Sequence, residues 1–360
     1  MKRRGFIKKS LLTTAGATLT ASSLSTPAIS KNTQRWSMTT AWPKNFPGLG
    51  TGANKLAEMI NQASNGRLEI KVYGAGEIVP AFEAIDAVAN GTVEMGHGAP
   101  YYWKGKVHAA QFLACIPFGF TVHEQNAWLD FAGGQEIADE IYAQMNCKFF
   151  SCGTTGVQMG GWYNNEIKTL ADYKSLKMRM PGLGGEVIKA AGATVVNLSG
   201  GDLLTAMKTG AIDATEWNGP YNDLAFGLHD VAKHYYFPGW HEPSVIIDSF
   251  INLDAWNTLD NDLKSIIQTS CKAASQFMHN EYTARNAQSL IKLKNKYGIT
   301  PQPFSSDLLT ALKTLSDEVI SDLAHSNPLS KKTYESIIKF KKEVGQWSHI
   351  SEHAYLNARA

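Results

Sequence analysis

LEIKVYGAGEIVPAFEAIDAVANGTVEMGHG, residues 68–98, and ATVVNLSGGDLLTAMKTGAIDATEWNG, residues 193–219, are two copies of one supersecondary pattern. Each opens on a β-branched run, passes a glycine-rich turn into an apolar-periodic helix, and leaves through Asn-Gly or Thr-Gly into a short strand, TVEMG in one and AIDAT in the other. That order predicts a βαβ unit. One unit in each half of the chain predicts an α/β protein of two facing lobes, with its site at the carboxyl ends of the strands.

The chain begins Met-Lys-Arg-Arg-Gly-Phe-Ile-Lys-Lys, continues into a Thr/Ser/Ala-rich stretch through Ala28-Ile29-Ser30, and has no acidic residue before Glu58. This is the layout of a twin-arginine export signal over residues 1–30, with the mature chain starting near Lys31. Its apolar part is too short and too rich in hydroxyls to span a membrane. Without the five Lys/Arg of that segment, the 34 basic residues fall to 29 against 32 acidic ones, a formal charge of −3. No basic stripe remains, which excludes nucleic acid as a partner. An apolar content of 44% supports two lobes with separate cores. Four cysteines in an exported chain invite a Cys147–Cys152 disulfide, but CKFFSC reads as one strand, which holds those α-carbons beyond bridging distance. Buried free thiols are the expectation.

The last hundred residues change character. Asp262–Lys296 reads as one long helix, Pro301 and Pro303 break the chain, and residues 305–326 and 330–346 read as two amphipathic helices. Their expected role is packing on the lobes or on a second copy of the chain.

Two glycine motifs imitate nucleotide-binding turns. Gly74-Ala-Gly76 follows a strand, but the third small position is Val79; PGLGGEV at Pro181 fails in the same way at Val187. Both are read as tight turns at helix starts. His123-Glu124 lacks a second histidine four residues on, no Gly-x-Ser-x-Gly elbow occurs, and the ten histidines are scattered singly.

The residues with the most chemistry lie between Leu176 and Pro243. In LKMRMP, Arg179 comes at the end of a strand and precedes the helix start at Gly184-Gly185, where a guanidinium and free helix N–H groups suit a carboxylate. Glu216 ends the strand AIDAT before Trp217-Asn218-Gly219-Pro220, and Glu242 sits at the reversal Pro238-Gly-Trp-His-Glu-Pro243. Either glutamate could simply pair with Arg179. If all three face one cleft, a bound anion leaves the site doubly negative, and a hard cation with oxygen ligands, Na⁺ or Ca²⁺, would restore the balance. Gln158, in GTTGVQMGG, is a candidate carbonyl donor to it. Tyr101, Tyr102 and Trp103 follow the matching strand of the first lobe, and with Trp42 they are candidates for the opposite wall.

MRMPGLGGEV, TGAIDATEWNGPYNDLAFGLH and YYFPGWHEP together resemble the extracytoplasmic solute-binding subunits of TRAP transporters, nearest to the branch that binds 2-oxo and 2-hydroxy monocarboxylates such as pyruvate and lactate. The resemblance spans nearly the whole mature chain. It implies a two-lobed periplasmic fold with a hinge, crossing strands and a long helix spanning the lobes. The implied lobes are residues 31–155 with about 220–255, and 156–219 with about 256–300, leaving 301–360 as C-terminal helices and a candidate homodimer element. It further implies that Arg179 anchors the substrate carboxylate beside Gln158, Tyr101, Tyr102, Trp217 and Asn218. A metal ion would bridge substrate and protein through Gln158, Glu216, the Trp217 carbonyl and Glu242. The partner would be a TRAP membrane permease, with binding and delivery and no chemistry on the ligand. A C4-dicarboxylate or sugar-acid ligand, and an exported redox enzyme, are the competing readings.

Overall fold

Each repeated stretch folds as strand, helix and strand, and in each the two strands bracket a third that precedes them in the chain. The computed structural model describes residues 33–360; the expected export signal at 1–30 lies outside them. Among the described residues the strands are β1 (Gln34–Thr40), β2 (Leu68–Tyr73), β3 (Met95–Gly98), β4 (Cys147–Gly153), β5 (Gly161–Tyr163), β6 (Lys177–Arg179), β7 (Thr194–Val196), β8 (Ala214–Thr215), β9 (His234–Phe237), β10 (Ile247–Asn252) and β11 (Gln302–Pro303). One sheet has the order β2-β1-β3-β10-β4, the other β11-β9-β5-β8-β6-β7. In the first, β1 runs parallel between β2 and β3, with Met38 beside both Val72 and Met95. In the second, β6 runs parallel between β7 and β8. The next strand inward, β10 or β5, is antiparallel in both sheets. The lobes therefore share a βαβαβ core, longer at its start than the repeats visible in the sequence.

The apolar periodicity supplies the cover. Helix Leu49–Ala63 buries Leu49, Ala53, Leu56, Ala57 and Ile60, a single stripe at spacings of three and four. Both imitation nucleotide motifs are close backbone approaches. A β-carbon at Gly74 would lie 2.6 Å from the Lys44 nitrogen, and one at Gly185 would lie 2.3 Å from the Met180 carbonyl.

The chain crosses between the sheets three times. Residues 154–160 lead from β4 to β5, and residues 238–246 return from β9 to β10. These two crossovers run side by side: the Gln158 N–H donates to the Glu242 carbonyl at 3.2 Å, and the Gly239 N–H donates to the Gln158 carbonyl at 2.8 Å. The third crossing is the long helix Asn261–Tyr297, which packs on β4 and on helix Pro220–Phe226 and leads to β11. The strand pairing corrects one expected boundary. Residues 220–255 do not belong to the first lobe as a block, because β9 pairs with β5 and β11 in the second sheet and only β10 pairs in the first. Both strands are short and largely buried, so only their partners distinguish them.

All four cysteines are buried and unpaired, as the extended β4 requires. Helices Ser306–His325 and Pro328–Ser348 follow the predicted pattern, with the Ser305 and Asn327 side chains accepting from the first-turn N–H groups. Beyond Ser348 the helical chain continues through His349–His353 and Ala354–Arg359 with no buried residue, while Trp347 and Ile350 are about two-thirds exposed.

On β10, Asp248 is fully buried. Its Oδ2 accepts from the Tyr142 hydroxyl and from Trp103 Nε1 at 3.2 Å, while Oδ1 has no partner. Burial pushes its carboxyl from 3.8 to about 7. A folded value above the unfolded one gives stability that is complete below about pH 4 and lost as pH rises through 7. Asp248→Asn keeps the facing oxygen and removes the titration. Its stability relative to wild type should therefore rise by roughly 2–3 kcal/mol between pH 5 and pH 8 in denaturant melts; a constant difference would refute that account of Asp248.

Candidate ligand and metal site

Arg179 is the last residue of β6, and Glu216 follows β8 directly, so the parallel pairing of β6 with β8 sets them side by side at the strand ends. Both are about 1% exposed. Arg179 Nη1 pairs with Glu216 Oε1 and donates to the Glu216 carbonyl at 3.2 Å, and Nε donates to the Leu198 carbonyl at 3.2 Å. The guanidinium carbon stands 4.9 Å from the Trp217 ring centre. Nη2 faces the Tyr102 hydroxyl at 3.4 Å, across from the first lobe. Three sides of the guanidinium are thus fixed by the second lobe, and the fourth is turned to the opposite wall.

That wall is the turn Pro100–Trp103 after β3. Tyr101 and Tyr102 meet edge to face at 4.8 Å, and Trp42 lies 6.0 Å from Tyr102 and 6.3 Å from Trp217 between ring centres. Trp42 is held by its Nε1, which donates to His97 at 2.8 Å. Burial pushes the Tyr102 hydroxyl up to about 12 and that of Tyr101 well up from the usual phenol value, so both are proton donors at neutral pH.

The crossovers supply the remaining groups. Gln158 Nε2 donates to Glu242 Oε2 at 2.7 Å and to the Thr155 hydroxyl at 3.1 Å, and it meets the Asn218 side-chain amide at 3.0 Å. Asn218 in turn meets Asn222, whose Nδ2 donates to the Pro47 carbonyl of the first lobe at 2.8 Å and whose Oδ1 accepts from the Tyr282 hydroxyl of the long helix at 2.6 Å. The site is therefore bonded to both lobes and to the spanning helix.

Electrostatically the cluster is short of positive charge. Glu216 and Glu242 share one arginine, and burial, followed by the nearby Glu216, pushes the Glu242 carboxyl well up. Among the described residues, the buried oxygens Gln158 Oε1 and Glu216 Oε2 have no hydrogen-bond partner. One ligand atom from each of Glu216, His241 and Glu242 lies within 4.8 Å of the others. Donor atoms 2.3–2.6 Å from one hard cation lie at most about 5 Å apart, so the Glu216 and Glu242 carboxylates of this set fit such an ion, with His241 beside them. Carboxylates and an amide carbonyl, which Gln158 could add, are the ligands that sodium and calcium take, and a cation there would offset the burial that pushes the Glu242 carboxyl up.

The structure brings Arg179, Gln158, Tyr101, Tyr102, Trp217, Asn218, Glu216 and Glu242 into one buried cluster. Lys104 and Lys106, which follow the Tyr101–Trp103 wall in the chain and would be the nearest cations for a second ligand carboxylate, are paired with Glu186 and Asp86 at 2.7 and 2.8 Å. His241 was missed by sequence reasoning. Fully buried, it sets Nε2 3.4 Å from Glu216 Oε2. Its signal was its place beside Glu242 in a tight reversal, which the scatter of single histidines obscured.

Comparison with known proteins places this arrangement. The family model of the bacterial extracellular solute-binding proteins, family 7, matches residues 38–327. The monocarboxylate 2-oxoacid-binding periplasmic protein of a Nostoc species is 39% identical over 99% of this chain and 98% of its own length. A TRAP periplasmic solute-binding protein from Pseudoalteromonas atlantica, solved with sodium and pyruvate, superposes with a TM-score of 0.88 at 36% identity, over 90% of this chain and 99% of that one. A TRAP solute-binding protein from Bordetella bronchiseptica, solved as a dimer with copurified calcium and picolinate, gives the same score and identity over 91% of this chain and 97% of that one.

Proposed function

The chain belongs to the bacterial extracellular solute-binding proteins of family 7, and from that premise we propose that it is the periplasmic subunit that captures a small 2-oxo monocarboxylate for a TRAP transporter. The observation that carries the reading is Arg179, a buried guanidinium whose Nη2 edge is turned to the Tyr102 hydroxyl of the first lobe, beside two buried carboxylates that it cannot balance alone. The carboxylate of the ligand binds the Nη2 edge of Arg179, between it and the Tyr102 hydroxyl. Gln158, Glu216, Glu242 and the Trp217 carbonyl would hold a sodium or calcium ion beside that carboxylate, while Tyr101, Tyr102 and Asn218 complete the contacts. Pyruvate and picolinate share one chemical feature, a donor atom on the carbon next to the carboxylate, so that either can chelate a single ion. Lactate has the same feature. The ion supplies positive charge, and Arg179 and the tyrosines orient the anion and exclude water.

The function is binding and release, with no bond of the ligand made or broken. Ligand shifts the protein toward the closed arrangement by its differential affinity for it, and the membrane subunits read that shape. A thermal-shift panel of pyruvate, lactate, succinate and a sugar acid tests the reading in sodium-free choline buffer with chelator, then with sodium or calcium restored. Pyruvate at 100 times its dissociation constant should stabilise by about 2.7 kcal/mol when an ion is present and far less when none is. A panel in which succinate alone responds would overturn it.

The segment 1–30 serves as the twin-arginine signal, and the helix beyond Ser348 pairs with a second copy. What supports pairing is the row of exposed apolar side chains, Trp347 at the end of helix Pro328–Ser348 and Ile350, Tyr355 and Leu356 on its continuation, where no residue from His349 to Arg359 is buried among the described residues. Intact mass and light scattering of the exported protein read both points; an unprocessed N-terminus or a monomer mass would refute the corresponding one.

A further inference from the structure

The chain beyond Ser348 carries two exposed histidines, His349 and His353, at the two ends of a single π-helical turn, His349–His353. Such turns are rare, and they are frequent at functional sites. The two Nδ1 atoms stand 3.3 Å apart, whereas the ring centres are 5.4 Å apart. The nitrogens are much the closer, so both lie on the facing edges of the rings. Among the described residues no other hydrogen bond or ion pair holds either ring.

Two accounts of this contact compete. A hydrogen bond from one imidazole to the other is the plain one, but ordinary bonds from a nitrogen donor span about 2.7–3.2 Å, and this contact is longer. Two nitrogens bound to one tetrahedral ion at 2.0–2.1 Å lie about 3.3–3.4 Å apart, the edge of the tetrahedron. The observed spacing matches that edge. Imidazole nitrogen suits zinc, copper and nickel, whereas sodium and calcium take oxygen. The histidine pair and the carboxylate cluster therefore select different ions. Two protein ligands leave two positions of the tetrahedron to water, which makes a reversible site, unlike a structural zinc centre with its four.

We propose that His349 and His353 form a two-nitrogen site for a divalent transition ion of the zinc class, and that the bound ion staples the helical turn that carries Ile350 and follows Trp347. The proposal does not depend on the functional reading above. The test is calorimetric titration of zinc, in sodium chloride, into the wild-type protein, His349→Ala, His353→Gln and His123→Ala. His123 serves as the control because it faces His279, on another helix, with ring centres 5.9 Å apart. Wild type should show a zinc-binding event that weakens by about tenfold or more in either of the first two variants, since each removes one of the two ligands. In His123→Ala it should be unchanged, and calcium in about hundredfold excess should not compete for it. Both histidines are exposed, and alanine and glutamine are good helix formers, so the first two variants should melt with wild type when zinc is absent. Zinc should also slow amide exchange over residues 345–359 in wild type and leave it unchanged in those two variants. A zinc event kept in both variants, or lost in His123→Ala, would overturn the proposal. So would a wild type that binds no zinc.

Discussion

With Arg179 replaced by alanine, pyruvate binding should weaken by about a thousandfold, ~4 kcal/mol, the cost of removing one partner from a buried charge pair. The effect is large because the guanidinium has no substitute. It is buried, its Nη1 and Nε are committed to Glu216 and Leu198, and its remaining edge faces the first lobe. Losing it leaves two carboxylates and an anionic ligand around a single bridging ion. Breaking the Arg179–Glu216 pair also costs fold stability, about 3–5 kcal/mol for a buried pair. Arg179→Lys separates the two effects: it keeps a charge near Glu216 but loses the planar fork, so binding should fall at least tenfold while most of the stability returns. Isothermal titration and melting on the same samples read both quantities. An alanine variant that binds within tenfold of wild type would end the anchoring role of Arg179.

The second large effect concerns the ion. Glu242→Gln should abolish stabilisation by sodium or calcium and bring pyruvate affinity down to that of the ion-free wild type. Removing ions from the variant should then change nothing further, because the two perturbations act on one interaction. The same variant should have the opposite effect on the empty protein. Burial and the neighbouring Glu216 push the Glu242 carboxyl well up, so its ionised form is a burden whenever no cation is present. That burden is absent below the ordinary carboxylate range and grows as pH rises. Measured at pH 8 without ions, Glu242→Gln should therefore melt above wild type. With ion and pyruvate both present it should melt below. A variant whose ion response matches wild type would remove Glu242 from the metal site.

Much of this was legible in the chain, for identifiable reasons. The two βαβ units, the long helix and the C-terminal helices appear through local periodicity and punctuation, which short windows preserve. The insertion of β1 between β2 and β3, and of β6 between β7 and β8, is a matter of distant pairing and leaves no local trace. For the same reason residues 220–255 were assigned to one lobe although their two strands belong to different sheets. In the site, the residue types gave the charge imbalance, and turns at strand ends gave the positions. The choice of Glu216 rather than Glu242 as the partner of Arg179 depends on strand register across 37 residues, which no spacing rule provides. His241 had no periodic or motif support and became visible only through what surrounds it.

One feature of the crossovers reaches beyond the site itself. Gln158 and Glu242 lie on the two segments that join the lobes, hydrogen-bonded to each other, whereas Arg179 and the tyrosines are mounted on opposite lobes. In any closure that pivots on those segments, atoms near the axle travel least. On the proposed ligand set, the Gln158 and Glu242 part of the ion seat is therefore kept when the jaws part, and the Glu216 part moves with the second lobe, while the grip of Arg179 and the tyrosines on the ligand is taken apart. Thermodynamic reciprocity then requires that ion and ligand raise each other's affinity by the same factor. The salt content of the compartment acts as a gain control on scavenging: the same concentration of organic acid is captured more or less completely according to how often the axle is already loaded.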